Sequence, residues 1–222
     1  MAGFLGWVRT GAEPAEVSLA LGALCHHPSF VARLLAGDAR AGIAVVHRRG
    51  EPPELFSLAE RGLIVAILGA VLEYRGGRWH QFTARELADR YLGGGVTAIA
   101  GLDGFYQVLV WDGSAQQVHV LNDRVASMPL HLAQVEGGVA FAPEAKALLR
   151  LVPLAPHVDF VAMMSFLNVG YVIGTRTLFA EVHLLAPAHR LTMNLRSGEV
   201  TQQRTWVQRF EPERRLGLRA AA

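Results

Sequence analysis

The sequence contains one cysteine, Cys25, and one lysine, Lys146, in 222 residues. A single cysteine excludes an intrachain disulfide and a zinc site made of several thiolates, and it fits a reducing compartment such as the cytoplasm. All other basic side chains are arginines, which are scattered singly or in pairs and leave a net charge of only +2. Because a phosphate-binding surface usually gathers its basic residues, we expect a cytoplasmic protein without a nucleic-acid partner.

Long apolar runs are missing as well. The longest uncharged apolar run covers residues 62–72, roughly half of the ~20 residues that a membrane-spanning helix needs. Glu13 and Glu16 precede the first helix-like apolar stretch, where a secretory signal would carry positive charge. From these features we expect that the protein has no membrane partner and no signal peptide.

Signatures of metal and phosphate sites are also lacking. Cys25, His26 and His27 are adjacent in the sequence, and adjacent side chains rarely converge on one ion, so we expect no metal site. The Gly-Gly-Gly at residues 93–95 is not followed by Lys and Ser or Thr, as a phosphate-binding loop would be, and it indicates the end of a helix. We therefore expect no cofactor on this chain.

The apolar pattern predicts short strands and helices in alternation. Buried strands are expected at residues 3–8, 42–47 and 63–72, helices at 17–24, 28–36, 144–151 and 160–167, and hairpins at 104–122, 130–141 and 189–203. Thr83 and Glu86 form a capping box that predicts a helix ending near Leu92, and Asp159 is the expected cap of the last helix. Helices interleaved with antiparallel hairpins indicate a layered α+β fold rather than a parallel doubly wound sheet.

Three features have a structural interpretation. We expect Asp123 and Arg124 to form a buried ion pair at the end of a hairpin. Lys146 is expected to be solvated or ion-paired on its helix. The apolar stripe at residues 163–167 is predicted to belong to the core, because such stripes pack inside a protein more often than they bind a cofactor.

Four stretches of the sequence resemble the class II glutamine amidotransferase domain at the N-terminus of the asparagine synthetases. These stretches are LDGFYQVLVWDGSAQQVHVLNDRVASMPLHLA (102–133), GGVAFAPEAKALL (137–149), GYVIGTRTLFAEVHLLAPAHRLTM (170–193) and MAGFLGW (1–7). They resemble the family's Arg-Asp-Arg, Phe-Ala-Ser-Glu-Ile-Lys-Ala-Leu, Gly-Tyr-Val-Pro-Gly-Pro-Arg-Thr-Leu-Phe and Met-Cys-Gly segments. The resemblance covers most of residues 1–206, although residues 10–60 match poorly.

The resemblance implies an N-terminal-nucleophile fold, which is a four-layer αββα sandwich with two antiparallel sheets. It implies a degenerate glutamine amidotransferase type 2 domain over residues 1–206 and a linker or tail over residues 207–222. In asparagine synthetases a synthetase domain follows, with a Ser-Gly-Gly-X-Asp-Ser loop for pyrophosphate, and this string does not occur here. ATP and Mg²⁺ are therefore expected only in a partner domain or subunit of the ATP-pyrophosphatase type.

The family's nucleophile is a cysteine that follows the initiator methionine and becomes the first residue. Its thiolate attacks the glutamine carboxamide, and its own α-amine handles the proton. Position 2 of this sequence is Ala2, whose methyl group can do neither. Cys25 lies in an apolar helical stretch, so we expect no other residue to replace the nucleophile.

The same resemblance places the rest of the glutamine pocket. The family's Asn-Gly-Glu, which forms the oxyanion hole and anchors the substrate ammonium, corresponds to Leu68, Gly69 and Ala70. Its Ser-Asp pair at the start of the next helix corresponds to Thr83 and Ala84. We expect Ala2, Leu68, Ala70 and Ala84 to share one apolar cleft between the sheets. The family's carboxylate-binding arginine corresponds to either Arg48 or Arg49.

The leading interpretation is a catalytically inactive glutaminase-like domain that acts as a scaffold for an ATP-dependent amide-forming synthetase or cyclase. β-Lactam synthetases and lasso peptide cyclases are relatives of this kind. One alternative is a free-standing module that binds an apolar ligand or a peptide in the old pocket. Another is an asparagine synthase glutaminase domain whose cysteine was replaced by alanine. A synthetase domain or subunit is the expected partner, and a homodimer is a further option.

Overall fold

Two antiparallel sheets contain most of the chain in the computed structural model, which describes residues 2–9, 13–38, 40–152 and 155–210. The strands are β1 (Gly3–Val8), β2 (Phe30–Gly37), β3 (Ala41–Arg48), β4 (Glu54–Leu58), β5 (Leu63–Arg75), β6 (Arg78–Gln81), β7 (Asp103–Asp112), β8 (Gln117–Asn122), β9 (His131–Val135), β10 (Gly138–Ala142), β11 (Val182–Leu184), β12 (His189–Asn194) and β13 (Val200–Arg204). The helices are α1 (Pro14–Leu24), α2 (Ala84–Ala98), α3 (Ala145–Leu151) and α4 (Phe160–Val169).

Every strand pairing within the two sheets is antiparallel. The first sheet has the strand order β11-β9-β10-β1-β3-β2. The second sheet has the order β13-β12-β8-β7-β5-β4, and β6 also pairs with β5. All three predicted hairpins are present as β7–β8, β9–β10 and β12–β13.

Three groups of buried apolar residues divide the fold into layers. One group fills the space between the sheets and contains Phe4, Phe141 and Leu109. A second lies on the outer face of the first sheet, under α1 and α3. A third lies on the outer face of the second sheet, under α2. The predicted αββα sandwich with two antiparallel sheets is confirmed.

The start of α2 follows the predicted capping box. The Thr83 hydroxyl accepts a hydrogen bond from the Glu86 backbone N–H at 3.2 Å, and the Glu86 carboxylate accepts one from the Thr83 N–H at 2.8 Å. These bonds satisfy two of the amides that a helix start leaves without partners. The predicted end near Leu92 is a kink instead, because Gly95 has a non-helical backbone and a further turn continues to Ala98.

The predicted helix at residues 28–36 is wrong, because this segment forms β2. It pairs with β3 from Phe30 opposite Arg48 to Gly37 opposite Gly42, with a bulge between Leu34 and Ala36. A short apolar segment fits either period, and pairing with a neighbouring strand decided this one. The sequence analysis also missed the short strands β4, β6 and β11.

The ion pair expected between Asp123 and Arg124 does not form. The buried Asp123 carboxylate accepts hydrogen bonds from the backbone N–H groups of Tyr106, Val125 and Ser127 at 2.9–3.2 Å. Arg124 pairs with Asp103 and lies over the Trp206 ring. The two neighbours point to different partners because Asp123 closes the turn after β8.

Three further expectations concern the apolar stripe, a membrane-spanning helix and the tail. The stripe at residues 163–167 is not part of the core, since Met164, Phe166 and Leu167 are exposed. No helix among the described ranges is long and apolar enough to cross a membrane. Residues 207–210 form neither helix nor strand, and the rest of the predicted tail, residues 211–222, lies outside the described residues.

Candidate functional site

Ala2 directly precedes β1, which lies in the first sheet between β10 and β3. The chain is packed tightly there, because a Cβ atom on Gly3 would lie 2.3 Å from the Pro143 Cβ. The start of β1 is therefore held against the segment that leads into α3. Ala2 itself is partly exposed, and its methyl group offers neither a nucleophile nor a proton acceptor.

Cys25, the chain's one thiol, follows α1 and packs partly buried against the apolar group on the outer face of the first sheet. Burial raises the pKa of the Cys25 thiol above its ordinary value. A thiol with a raised pKa carries less thiolate and is a poorer nucleophile near neutral pH. Cys25 therefore does not supply the chemistry that Ala2 lacks.

Leu68, Gly69 and Ala70 lie in β5, opposite Gln107, Tyr106 and Phe105 of β7. Gly69 has a backbone φ of 86°, in the left-handed region that favours glycine. A Cβ at this position would lie 2.1 Å from the Phe105 carbonyl oxygen and 3.0 Å from the Met128 methyl carbon. The local geometry thus requires glycine at residue 69.

Leu68 is buried in the core between the sheets, and its cross-strand neighbour Gln107 is completely buried. The Gln107 amide donates to the Met128 carbonyl oxygen at 3.0 Å, while its own Oε1 accepts no hydrogen bond from any described residue. A buried amide oxygen without a donor costs free energy. The sequence analysis missed Gln107, although one amide within the apolar run of β7 was a usable signal.

Ala84 is the first residue of α2, and its side chain packs in the apolar group on the outer face of the second sheet. Leu68 faces the opposite side of that sheet. The expectation that all four alkyl side chains share a cleft between the sheets is therefore wrong for Ala84. The Ala84 N–H donates to a carboxylate oxygen of Glu54 at 2.9 Å, so β4 supplies a carboxylate at this helix start.

The two candidate arginines follow the part of β3 that lies beside the start of β1, because Gly3 pairs with Val46. Arg48 is exposed and forms a 3.6 Å ion pair with Glu51. The Arg49 N–H donates to the Ser29 carbonyl oxygen at 2.6 Å, and its side chain is also exposed. Both arginines remain candidates for the carboxylate-binding position.

Lys146 lies on α3, three residues after Pro143. Its ammonium group contacts the Glu144 carboxylate at 2.9 Å and the His26 Nδ1 at 3.0 Å. The expectation of an ion-paired lysine is confirmed. Within the described ranges, no three His, Cys, Asp or Glu side chains are arranged to hold a metal ion.

A family model for the glutamine amidotransferase domain matches residues 68–206, which is more than half of the chain. The chain belongs to this family. The match begins at Leu68 and includes Gly69, Ala70 and Ala84. This glutamine amidotransferase domain therefore carries alkyl side chains or glycine at all four of these positions.

Two solved structures are similar to this amidotransferase domain. The glutamine phosphoribosylpyrophosphate amidotransferase of B. subtilis, complexed with ADP and GMP, is 15% identical over 92% of this chain and 49% of its own, with a TM-score of 0.48. The structure described as the allosteric regulatory enzyme of purine biosynthesis is 13% identical over 94% of this chain and 50% of its own, with a TM-score of 0.50. The chain spans about half the length of both. No curated protein is significantly similar to it.

Proposed function

We propose that this amidotransferase domain belongs to the asparagine synthetase branch, does not hydrolyse glutamine, and serves as a scaffold for an ATP-dependent amide-forming partner. The observation that carries the proposal is Ala2, at the position where that branch has its cysteine nucleophile. Without a thiolate, no covalent glutamyl intermediate forms, and the α-amine has no proton to accept. The α-amine of an alanine is the same as that of a cysteine, so the missing thiol alone removes the covalent route.

The remaining pocket positions support the same proposal. Leu68 stands where the branch has the asparagine of the oxyanion hole, and removal of one such donor typically lowers kcat by about 10²- to 10³-fold. Ala70 stands where the branch has a carboxylate for the substrate amine. Ala84 aligns with a second such carboxylate but packs on the outer face of the second sheet, away from Leu68. Glutamine would therefore lack its nucleophile, a transition-state donor and an ammonium anchor.

The burial of these alkyl groups favours natural replacement over a single engineered change. A laboratory substitution of the nucleophile would alter Ala2 alone, yet Leu68 is also packed in an apolar group. A buried amide or carboxylate without its ligand costs roughly 1–3 kcal/mol or more. A pocket that no longer binds glutamine therefore gains stability when these groups become hydrocarbon.

The scaffold role assigns the energy-consuming chemistry to the partner. Amide formation in this branch uses ATP and Mg²⁺, and we assign both to an ATP-pyrophosphatase domain or subunit. The chain itself lacks the Ser-Gly-Gly-X-Asp-Ser sequence that binds pyrophosphate there. An amine of the substrate then takes the place of ammonia, as it does in the relatives that lack the cysteine.

The test of inactivity is glutamate release from glutamine by the purified chain and by an Ala2→Cys variant. We expect both to match the rate without enzyme, because Leu68 and Ala70 leave the substrate unanchored. An Ala2→Gly variant is the matched control without a nucleophile. Ammonia release by Ala2→Cys above the Ala2→Gly rate would contradict the proposal.

A second measurement separates binding from turnover. The Ala2→Cys variant in a Cys25→Ser background has one thiol, which a diazoketone analogue of glutamine alkylates only if the pocket binds the amino acid part. We expect mass spectrometry to show no selective labelling. The thiol should react equally with the glutamine analogue and with a second analogue that lacks the α-amine. Selective labelling by the glutamine analogue would show a pocket that still recognises substrate.

The scaffold role is tested with an ATP-pyrophosphatase protein encoded next to this chain. We expect the two proteins to copurify and ATP-dependent amide formation to require both, without added glutamine. Amide formation by the partner alone at the same rate would contradict the scaffold role. A glutamine requirement would contradict the inactivity instead, so the two parts of the proposal fail separately.

A further inference from the structure

An exposed apolar surface surrounds α4. Ten large apolar side chains between residues 158 and 178 are exposed, from 43% for Leu178 to 71% for Phe160. We call this surface the α4 face, and its members are Val158, Phe160, Val161, Met164, Phe166, Leu167, Val169, Tyr171, Ile173 and Leu178. Only Ala162 of α4 is buried. A helix that is apolar all round is normally covered on more than one side.

Hydrogen bonds join the members of the α4 face into one surface. The Ser165 hydroxyl donates to the Tyr171 carbonyl oxygen at 3.0 Å and accepts from the Ile173 N–H at 3.2 Å. The loop after α4 is therefore folded against the helix. On the other side, the Asp159 N–H donates to the Leu178 carbonyl oxygen at 3.0 Å. The ten side chains thus belong to one folded unit rather than to separate loops.

The α4 face carries no charge of its own. Residues 160–174 contain no Asp, Glu, Lys, Arg or His. The charged residues beside it are paired within the chain, Asp159 with Arg176 and His157 with Glu181. A partner selected by charge would find nothing to bind here, whereas a neutral surface can meet its own copy without repulsion between like charges.

The size of the α4 face fits one side of a stable dimer. If each of the ten side chains exposes about 100 Å², the α4 face amounts to on the order of 1,000 Å² of largely apolar surface, which continues around the helix and onto the loop after it. The largest apolar patch on a typical monomer is about 300–600 Å², and a standard interface buries about 800 Å² on each partner. We propose that the α4 face is the interface of a homodimer, in which α4 packs against α4 of a second copy about a two-fold axis.

The first test is the oligomeric state of the full chain by sedimentation at micromolar concentration. We expect a dimer for the unchanged chain and a Leu167→Glu variant whose dissociation constant is raised at least about 100-fold, because symmetry places the buried charge in the interface twice. Leu19→Glu is the matched control, since Leu19 is exposed to a similar extent on α1. It should remain dimeric.

The second test uses the single native cysteine. In a Cys25→Ser background, Met164→Cys places a thiol near the middle of α4, where a two-fold axis brings both copies together. We expect a disulfide-linked dimer under mild oxidation, and none from Leu19→Cys in the same background.

Three results would overturn the proposal: a monomer at these concentrations, a dimer that survives Leu167→Glu, or equal cross-linking at residues 164 and 19. None of them depends on glutaminase activity, so the interface and the proposed function stand or fall separately. A monomeric chain that dimerises only with a synthetase-type partner would also count against the homodimer.

Discussion

Leu68 and Leu167 are the same side chain in opposite surroundings. Leu68 lies between the two sheets and is 6% exposed, while Leu167 lies on α4 and is 68% exposed. Leu68 is packed by the chain itself, within the apolar group between the sheets. Around Leu167, hydrocarbon stands where a monomer would have polar groups. Our two proposals assign these regions different histories: the first has lost a ligand, and the second is an interface with a second copy.

The largest expected effect separates these two leucines directly. Leu68→Ala should lower the free energy of unfolding by about 2–5 kcal/mol, because it leaves a cavity between the sheets. Leu167→Ala removes the same atoms from an exposed site and should change the unfolding free energy of the monomer by less than about 0.5 kcal/mol. Urea denaturation at a concentration where the chain is monomeric measures both. Equal losses would mean that α4 is covered within the chain.

The next effect concerns α2, which, unlike α4, packs closely on a sheet of this chain. His119 lies under α2 near the Tyr91 ring, and its Nδ1 is 2.9 Å from the Thr192 hydroxyl. Burial lowers the pKa of His119 to about 4. The unfolded chain takes up this proton near pH 6.5, so stability is complete above that pH and decreases as the pH falls towards 4.

The free energy of unfolding should therefore fall by about 3 kcal/mol between pH 7 and pH 4 because of His119 alone. Unfolding free energies across this range should show the decrease for the native chain, and His119→Gln should lack this part of it. Other groups titrate in both proteins alike, so the difference between the two curves isolates His119. Curves that run parallel would show that His119 is not held neutral in the fold.

The smallest expected effect concerns the capping box at the start of α2. Thr83→Ala removes the hydroxyl that accepts from the Glu86 N–H and should cost about 1 kcal/mol of unfolding free energy. Ser18→Ala, at an exposed position within α1, is the control and should stay within about 0.5 kcal/mol. A loss no larger than that of Ser18→Ala would mean that the capping box contributes nothing measurable.

The sequence predicted the parts of this fold that local rules determine. The capping box at Thr83, the apolar run of β1 and the three hairpins depend on neighbouring residues, and all are present. The segment of β2 was mistaken for a helix because its partner strand, rather than its own pattern, determines its conformation. Short strands such as β4 give too few residues for a period to be read.

The candidate site divides in the same way. Ala2, Leu68 and Ala70 were assigned to the site by resemblance alone, and these assignments stay predictions. Ala84 lies on the outer face of the second sheet, since the direction of a side chain depends on how α2 packs on that sheet. Glu54 was not predicted, because its contact with the Ala84 N–H joins residues that are 30 positions apart in the chain. Gln107 was missed, although it is a single amide within the apolar run of β7. The exposure of α4 was equally hidden, because an apolar stripe looks alike in a core and in an interface.

The solitary lysine has a practical consequence for covalent labelling. Lys146 follows closely on Pro143, which contacts Gly3 and so holds the start of β1. Acylation of primary amines can therefore modify a single side chain of this protein, on α3 beside Glu144 and His26, and peptide mass spectrometry distinguishes it from the chain's α-amine. The rate of that one reaction is a footprint of whatever binds at this end of the molecule, and it can be read in a mixture without any engineered tag.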